Sequence, residues 1–158
     1  MSVVIEQRIA TLLGNLGLVP FFVLALLAWP WSGPVALRVE LALAGYAAVI
    51  LSFLGAVHWG LALASPGLNK AQSWNAFGWG VIPSLLGWLA VLMLMLGVPS
   101  AVVFVFLIGD LLLVRVMDGA LMRLYANPPA AWYLALRTRL TIAASLCLLI
   151  AAFAALAR

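Results

Sequence analysis

The chain has 158 residues, of which 68% are hydrophobic and 8% are charged, and its formal net charge is +4. A soluble domain has roughly 45–50% apolar and 25% charged residues, because it must present a polar exterior to water. The composition therefore excludes a soluble globular protein and indicates an integral membrane protein. The basic residues stand at the ends of apolar runs rather than in clusters, which argues against nucleic-acid binding and is typical of topology signals at a membrane surface.

Five apolar runs are long enough to cross a bilayer, which takes about 20 residues of helix. The fold class predicted is an all-α membrane protein, a single domain over 1–158 in which five transmembrane helices form a bundle. A short interfacial helix is expected between the fourth and fifth helices, because Trp132 and Tyr133 suit the headgroup region. The predicted spans are 9–29, 39–64, 74–96, 100–119 and 140–157.

Glycine and proline interrupt two of the predicted spans. The first contains "GNLGLVPFF", with Gly17 followed by Pro20, and the third contains "GWGVIPSLLGW", with a small-residue stripe and Pro83. Small residues let neighbouring helices approach closely, and proline removes a backbone hydrogen bond. These features favour tight bundle packing, while the alternative is a cavity near the middle of the membrane.

Ionisable side chains inside the spans are rare, and each one needs a polar partner. His58 and Asp110 lie on the second and fourth spans at depths that permit a hydrogen bond. Such a pair could carry a proton or bind a ligand, or it could simply hold two helices together. Trp59 beside His58 extends this candidate polar core. Its predicted members are His58, Trp59, Ser84, Trp88 and Asp110.

The cytoplasmic edge of the fourth span carries Arg115 and Asp118, which are three residues apart and are predicted to form an ion pair. Basic and aromatic residues in the following segment suit contacts with lipid headgroups. The predicted headgroup contacts are Arg123, Trp132, Tyr133, Arg137 and Arg139.

Motifs for catalysis are absent from the sequence: it has no nucleophile elbow, no P-loop, no zinc-protease motif and no cluster of acids with metal spacing. One histidine cannot ligate haem as a pair, and one cysteine, Cys147, cannot form an intramolecular disulfide. We therefore expect no enzyme activity, no catalytic residue, no metal and no cofactor. A third hypothesis, haem or quinone binding at His58, predicts coloured purified protein or a redox-active extract.

Four motifs, found in order along nearly the whole chain, carry a family resemblance: "GLVPFF", "FLGAVHWGLAL", "VIPSLLGW" and "WYLALRTRLT". Together they resemble the transmembrane-protein-69-like family, domain of unknown function 3429, with members in proteobacteria and a mitochondrial relative in animals. The resemblance implies a small multi-pass protein of the bacterial inner membrane and brings no activity with it. It also implies a residue pattern of Pro20, Phe53, Gly55, His58, Trp59, Gly60, Pro83, Gly87, Trp88, Trp132, Tyr133, Arg137 and Leu140.

These observations favour a non-enzymatic accessory or assembly factor that binds membrane lipids, a membrane-protein partner or a second copy of itself. The alternative is a small-molecule or proton-coupled transporter with a midplane polar site at His58 and Asp110. More basic residues are predicted on the membrane face that carries the N-terminus than on the opposite face. The positive-inside rule then predicts a cytoplasmic N-terminus and a periplasmic C-terminus.

Overall fold

The computed structural model describes residues 2–125 and 129–158, and every regular element in these ranges is a helix. Five helical segments are long and apolar enough to cross a membrane, and the first of them, 4–27, is divided between α1 and α2. The predicted five-helix transmembrane bundle is confirmed. Its elements are α1 (Ser2–Leu16), α2 (Val19–Leu27), α3 (Gly33–Leu63), α4 (Lys70–Met95), α5 (Ser100–Leu121), a 3-10 turn (Met122–Leu124) and α6 (Ala131–Leu156).

The first span is broken near its middle, as its glycines and proline predict. α1 ends at Leu16 and α2 begins at Val19. Pro20 stands in the first turn of α2, where its missing N–H would have had no helical partner. The Tyr46 hydroxyl of α3 donates to the Gly17 carbonyl at 2.8 Å, satisfying an oxygen at the break. The break therefore lies against the bundle and leaves α1 to pack separately.

α3 and α4 form a closely packed antiparallel pair. α4 begins at a capping box, in which the Asn69 side chain accepts from the Gln72 backbone and the Gln72 side chain accepts from the Asn69 backbone. Further along, a Cβ added to Gly87 would lie 2.9 Å from the Ala48 Cα, and a Cβ added to Gly55 would overlap the Gly80 carbonyl oxygen. The small-residue stripe of the third span thus brings two backbones into contact.

The core contains buried side chains from α2, α3, α4, α5 and α6, and its fully buried members include Leu51, Phe104, Leu107 and Leu148. Most large apolar side chains on the outer faces are exposed, as expected of a protein whose surroundings are hydrocarbon. The interfacial helix expected between the last two spans is not shown. Within the described residues, Trp132 and Arg139 belong to the first turns of α6, and 126–128 lie outside the described ranges.

Candidate functional site: a buried polar network beside an apolar cavity

Four polar side chains from three helices and a loop meet near one end of the bundle. His58 and Asp118 are both 0% exposed, and Arg137 is 5% exposed. His58 Nε2 lies 3.0 Å from Asp118 Oδ1, and Arg137 donates to Asp118 Oδ2 from Nε, at 2.9 Å, and from Nη2. The Tyr125 hydroxyl lies 3.0 Å from His58 Nδ1. We call these four residues the His58 network, and this end of the bundle the His58 end.

The hydrogen bonds determine what each member of the network does. Asp118 faces a guanidinium, so it is a carboxylate that only accepts. His58 Nε2 therefore donates to Asp118, and Nδ1 of the neutral ring accepts from the Tyr125 hydroxyl. The pKa of Tyr125 is raised above its usual 10.0, mainly by burial and to a smaller extent by the negative charge of Asp118. The phenol therefore keeps its proton. With a neutral histidine the network carries no net charge.

Local packing holds Tyr125 in place. It follows the 3-10 turn and belongs to a small apolar cluster with Ala62, Ala76 and Met122 at the His58 end. This cluster covers the network from the side of the loops. The polar groups are therefore enclosed, which strengthens their mutual attraction and makes the loss of any partner costly.

A second set of polar contacts at the opposite end joins α3, α5 and Arg158, which follows α6. Glu40 of α3, which is 5% exposed, accepts from Ser100 Oγ at 2.6 Å and from Arg158 Nη2. Arg158 Nη1 also donates to the carbonyl oxygens of Ala28, at 2.6 Å, and Trp31, at 3.0 Å. We call this end of the bundle the Glu40 end.

The two polar sets lie at matching positions along the helices. Glu40 and His58 are 18 residues apart on α3, and so are Ser100 and Asp118 on α5. At 1.5 Å per residue this spacing is about 27 Å, close to the hydrocarbon thickness of about 30 Å. An acid and a base therefore lie at each end of the bundle, and their separation along α3 and α5 matches the thickness of the hydrocarbon layer of a bilayer.

Asp110 lies between these two ends, and its carboxyl group has no hydrogen-bond partner in the part of the chain that the structure describes. The residue is 4% exposed. The Asp118–Arg137 pair fixes the antiparallel register of α5 and α6. Asp110 lies two turns before Asp118 and Ser145 lies two turns after Arg137, about 12 Å along each helix, so these two residues lie at the same depth. The Ser145 hydroxyl is also buried without a partner among the described residues.

A cavity of about 340 Å³ lies between the α1–α2 break and α3, α5 and α6. Its walls are mostly apolar, and its polar lining residues are Tyr133, Arg137 and Thr141, all on α6. Leu13 and Phe53 also line the cavity and are 61% and 66% exposed. The cavity therefore opens between α1 and α3 toward the surroundings of the bundle, and its volume is in the range of about 300–1,000 Å³ that is usual for ligand pockets.

The predicted polar core is only partly assembled. The structure joins His58 to Asp118 rather than to Asp110, because the depth estimated from the sequence was two turns in error. Trp59 is 44% exposed, and its indole N–H donates to the Phe77 carbonyl of α4 at 2.9 Å. Ser84 donates to the Val81 carbonyl of its own helix at 2.7 Å, and Trp88 is 60% exposed, so neither contacts the network.

The residues expected at the membrane edge also separate into two groups. Arg115 does not pair with Asp118; its Nε donates to Thr138 Oγ1 at 2.7 Å. Arg137, expected at the headgroups, is instead the buried partner of Asp118. Arg123 and Arg139 are exposed and Trp132 and Tyr133 half-buried, and headgroup contact stays a prediction for these four.

Sequence reasoning missed Tyr125, Glu40 and Arg158. Tyr125 lies outside every apolar run, so nothing in the hydropathy pattern connects it with His58. For Glu40, the available signal was its position: a carboxylate one residue inside the second predicted span needs a partner. Ser100, at the start of the fourth span, satisfies part of that need.

Five membrane-spanning segments with charged contacts buried at both ends define a multi-pass helical membrane protein. The chain belongs to the family described as Protein of unknown function (DUF3429), whose model matches residues 6–153. This match confirms the resemblance carried by the four motifs.

Transmembrane protein 69 of Xenopus tropicalis is similar to this chain, with 36% identity over 135 residues. The match covers 85% of this chain and 50% of the relative, so the chain spans about half the length of the curated protein that it matches. No solved structure matches the chain.

Proposed function

We propose that the protein is a non-enzymatic accessory protein that binds a lipid-like amphiphile, and that the cavity beside the α1–α2 break is the binding site. The observation that carries the proposal is the composition of the cavity, with apolar walls and a single polar side formed by α6. An amphiphile has the same division between an apolar chain and a polar head. Its apolar chain would pack against the apolar walls of the cavity, and its polar head would lie beside α6.

The position of the cavity supports entry from the membrane. Most α1 side chains are exposed, and α1 contacts the core chiefly at α6, where Gly14 lies against Leu140. Because Leu13 and Phe53 are exposed at the cavity opening, a lipid chain could enter sideways without crossing water. This route avoids the cost of exposing an apolar chain to solvent.

We test the site with Ala10→Phe, which places an aromatic ring on a residue that lines the cavity. The wild-type protein, extracted from membranes in mild detergent, should retain an amphiphile in native mass spectrometry, and Ala10→Phe should lower the bound fraction severalfold. The matched control is Ala42→Phe, at an exposed position of α3 outside the cavity. A wild-type protein that carries no lipid, or equal loss in the two variants, would contradict the proposal.

A second candidate is the proton-coupled or small-molecule transporter, and it is favoured by the carboxyl group of Asp110, which has no hydrogen-bond partner among the described residues. Buried ionisable groups in membrane helices commonly mark ion or proton pathways. In this candidate the group keeps its unfavourable position because the protein needs a carboxyl group at that depth.

Asp110→Val separates the two candidates. Removal of an unsatisfied polar group should raise the free energy of unfolding by about 1 to 3 kcal/mol, measured by thermal unfolding in detergent, whereas Asp110→Asn keeps a polar group and should not. If Asp110→Val abolishes a proton flux that the wild-type protein shows in proteoliposomes, the transporter is the better account. Absence of any wild-type flux would eliminate it.

We also propose that the protein lies in the bacterial inner membrane with its N-terminus in the cytoplasm and its C-terminus in the periplasm. The distribution of exposed basic side chains supports this orientation. At the Glu40 end, Arg38 is exposed, whereas Arg158 is paired with Glu40. Labelling of introduced cysteines from the two sides of the membrane tests the orientation directly. The exposed basic residues at the His58 end are Arg8, Lys70, Arg123 and Arg139.

A further inference from the structure

We infer that the cavity selects an anionic single-chain amphiphile and that its binding is coupled to the uptake of one proton by His58. This inference rests on the proposed lipid-binding function and names the chemical class of the ligand. It follows from one residue, Arg137, which belongs both to the His58 network and to the cavity wall.

Arg137 has hydrogen-bonding capacity left for a ligand. Its Nε and Nη2 donate to Asp118, while Nη1 forms no hydrogen bond with the residues that the structure describes. A guanidinium has five N–H donors in a planar fork and readily bridges two anionic oxygens. An acceptor oxygen at the polar side of the cavity, where Tyr133 and Thr141 also lie, would supply the missing partner.

Charge balance then connects the ligand to His58. Arg137 and Asp118 cancel each other, so the network is neutral while His58 is neutral. An added anionic head would leave one uncompensated negative charge in an interior of low dielectric constant, which is strongly unfavourable. A proton on His58 restores neutrality, and Asp118 Oδ1, 3.0 Å from Nε2, stabilises the imidazolium.

The network can accept this proton without rearranging its heavy atoms. Protonated Nδ1 would donate to the Tyr125 oxygen, 3.0 Å away, and the Tyr125 hydroxyl would only need to turn its hydrogen. Both states of the ring therefore use the same geometry. A site that is already arranged for the charged state adds little reorganisation cost to binding.

The titratable groups near His58 come from the helices packed against it. From α5 and its following turn it faces Asp118 and Tyr125, and from α6 the charge of Arg137 reaches it through Asp118. Tyr133 of α6 lines the cavity on the same side. α4 carries one charged residue, Lys70, which is exposed at its first position. Histidine is the side chain that ordinarily changes its charge near neutral pH, and His58 is the chain's one histidine.

The test uses a fluorescent alkyl sulfonate, whose head stays anionic at all relevant pH values, and a matched alkyl alcohol as the neutral control. Purified protein in nanodiscs should bind the sulfonate more tightly as the pH falls from about 8 to about 6, approaching tenfold per pH unit for one coupled proton. Binding of the alcohol should not change with pH. His58→Gln, which can still donate to Asp118 and accept from Tyr125, should remove the pH dependence for the sulfonate.

Calorimetry on the wild-type protein provides a measurement that needs no variant. Titrations of the sulfonate in two buffers with different ionisation enthalpies should report the uptake of close to one proton. Anion binding without proton uptake, or equal affinity for the alcohol and the sulfonate, would overturn the inference and leave lipid binding intact. Failure to bind either probe would overturn lipid binding itself. Alkyl phosphate and fatty-acid probes then distinguish the two natural sources of an anionic head.

Discussion

Asp118→Asn is expected to lower the free energy of unfolding by about 3 to 5 kcal/mol, because it leaves the buried guanidinium of Arg137 without a counter-charge. Asparagine has nearly the size of aspartate, so packing is conserved and the loss reports electrostatics. Arg137 is 5% exposed and cannot recover its hydration without unpacking α6 from α5. Thermal or denaturant unfolding in detergent micelles measures the effect.

The double variant Asp118→Leu, Arg137→Met is the control for this prediction. It removes both charges and keeps comparable volume, so it should recover most of the stability that the single variant loses. Equal instability of the single and double variants would show that the ion pair is not the cause. His58→Gln should cost far less, since a neutral ring leaves no charge behind when it is replaced.

The number of spans could be predicted from the sequence because hydropathy reports the solvent around a helix. Their ends were harder to predict. The last helix begins at Ala131, nine residues before the predicted start at residue 140. Arg137 and Arg139, which precede residue 140, are predicted from the sequence to contact lipid headgroups. Inside the bundle the charge of Arg137 is balanced by Asp118, a partner on another helix.

The polar partner of His58 illustrates what a single sequence leaves open. Asp110 and Asp118 lie eight residues apart on one face of α5, so the helical repeat offers two carboxylates to the same neighbour. The choice between them depends on how far α3 is shifted along α5. Contacts distant in sequence set that shift, among them the hydrogen bond between Glu40 and Ser100 at the other end of the same two helices.

The role of the glycines near His58 was also assigned differently by the structure. Small residues that flank a buried histidine predict room for its polar partner, and Gly55 and Gly60 flank His58 in this way. Instead, Gly55 lies against the backbone of Gly80 on α4, and a Cβ added to Gly60 would meet nothing within 4 Å. Side-chain size indicates that two surfaces can come close. It does not indicate which helix forms the close contact.

Gly55→Ala is therefore expected to destabilise the protein by about 3 kcal/mol or more, at or beyond the upper end of the usual cost of overpacking. The new Cβ would overlap the Gly80 carbonyl oxygen and lie 3.2 Å from its carbon and 3.4 Å from Pro83 Cδ. Backbone atoms cannot turn away as a flexible side chain can, so α3 and α4 must separate. That separation would also open the contact between Gly87 and Ala48 two turns away.

Gly60→Ala on the same helix is the matched control for Gly55→Ala. It has open space around the new Cβ, and because alanine favours a helix over glycine by about 0.8–1.0 kcal/mol, its stability should equal or exceed that of the wild type. Unfolding in detergent compares the two variants side by side. Similar stability for both would mean that the α3–α4 contact tolerates a methyl group at its closest point, and that the glycine is not what holds these helices together.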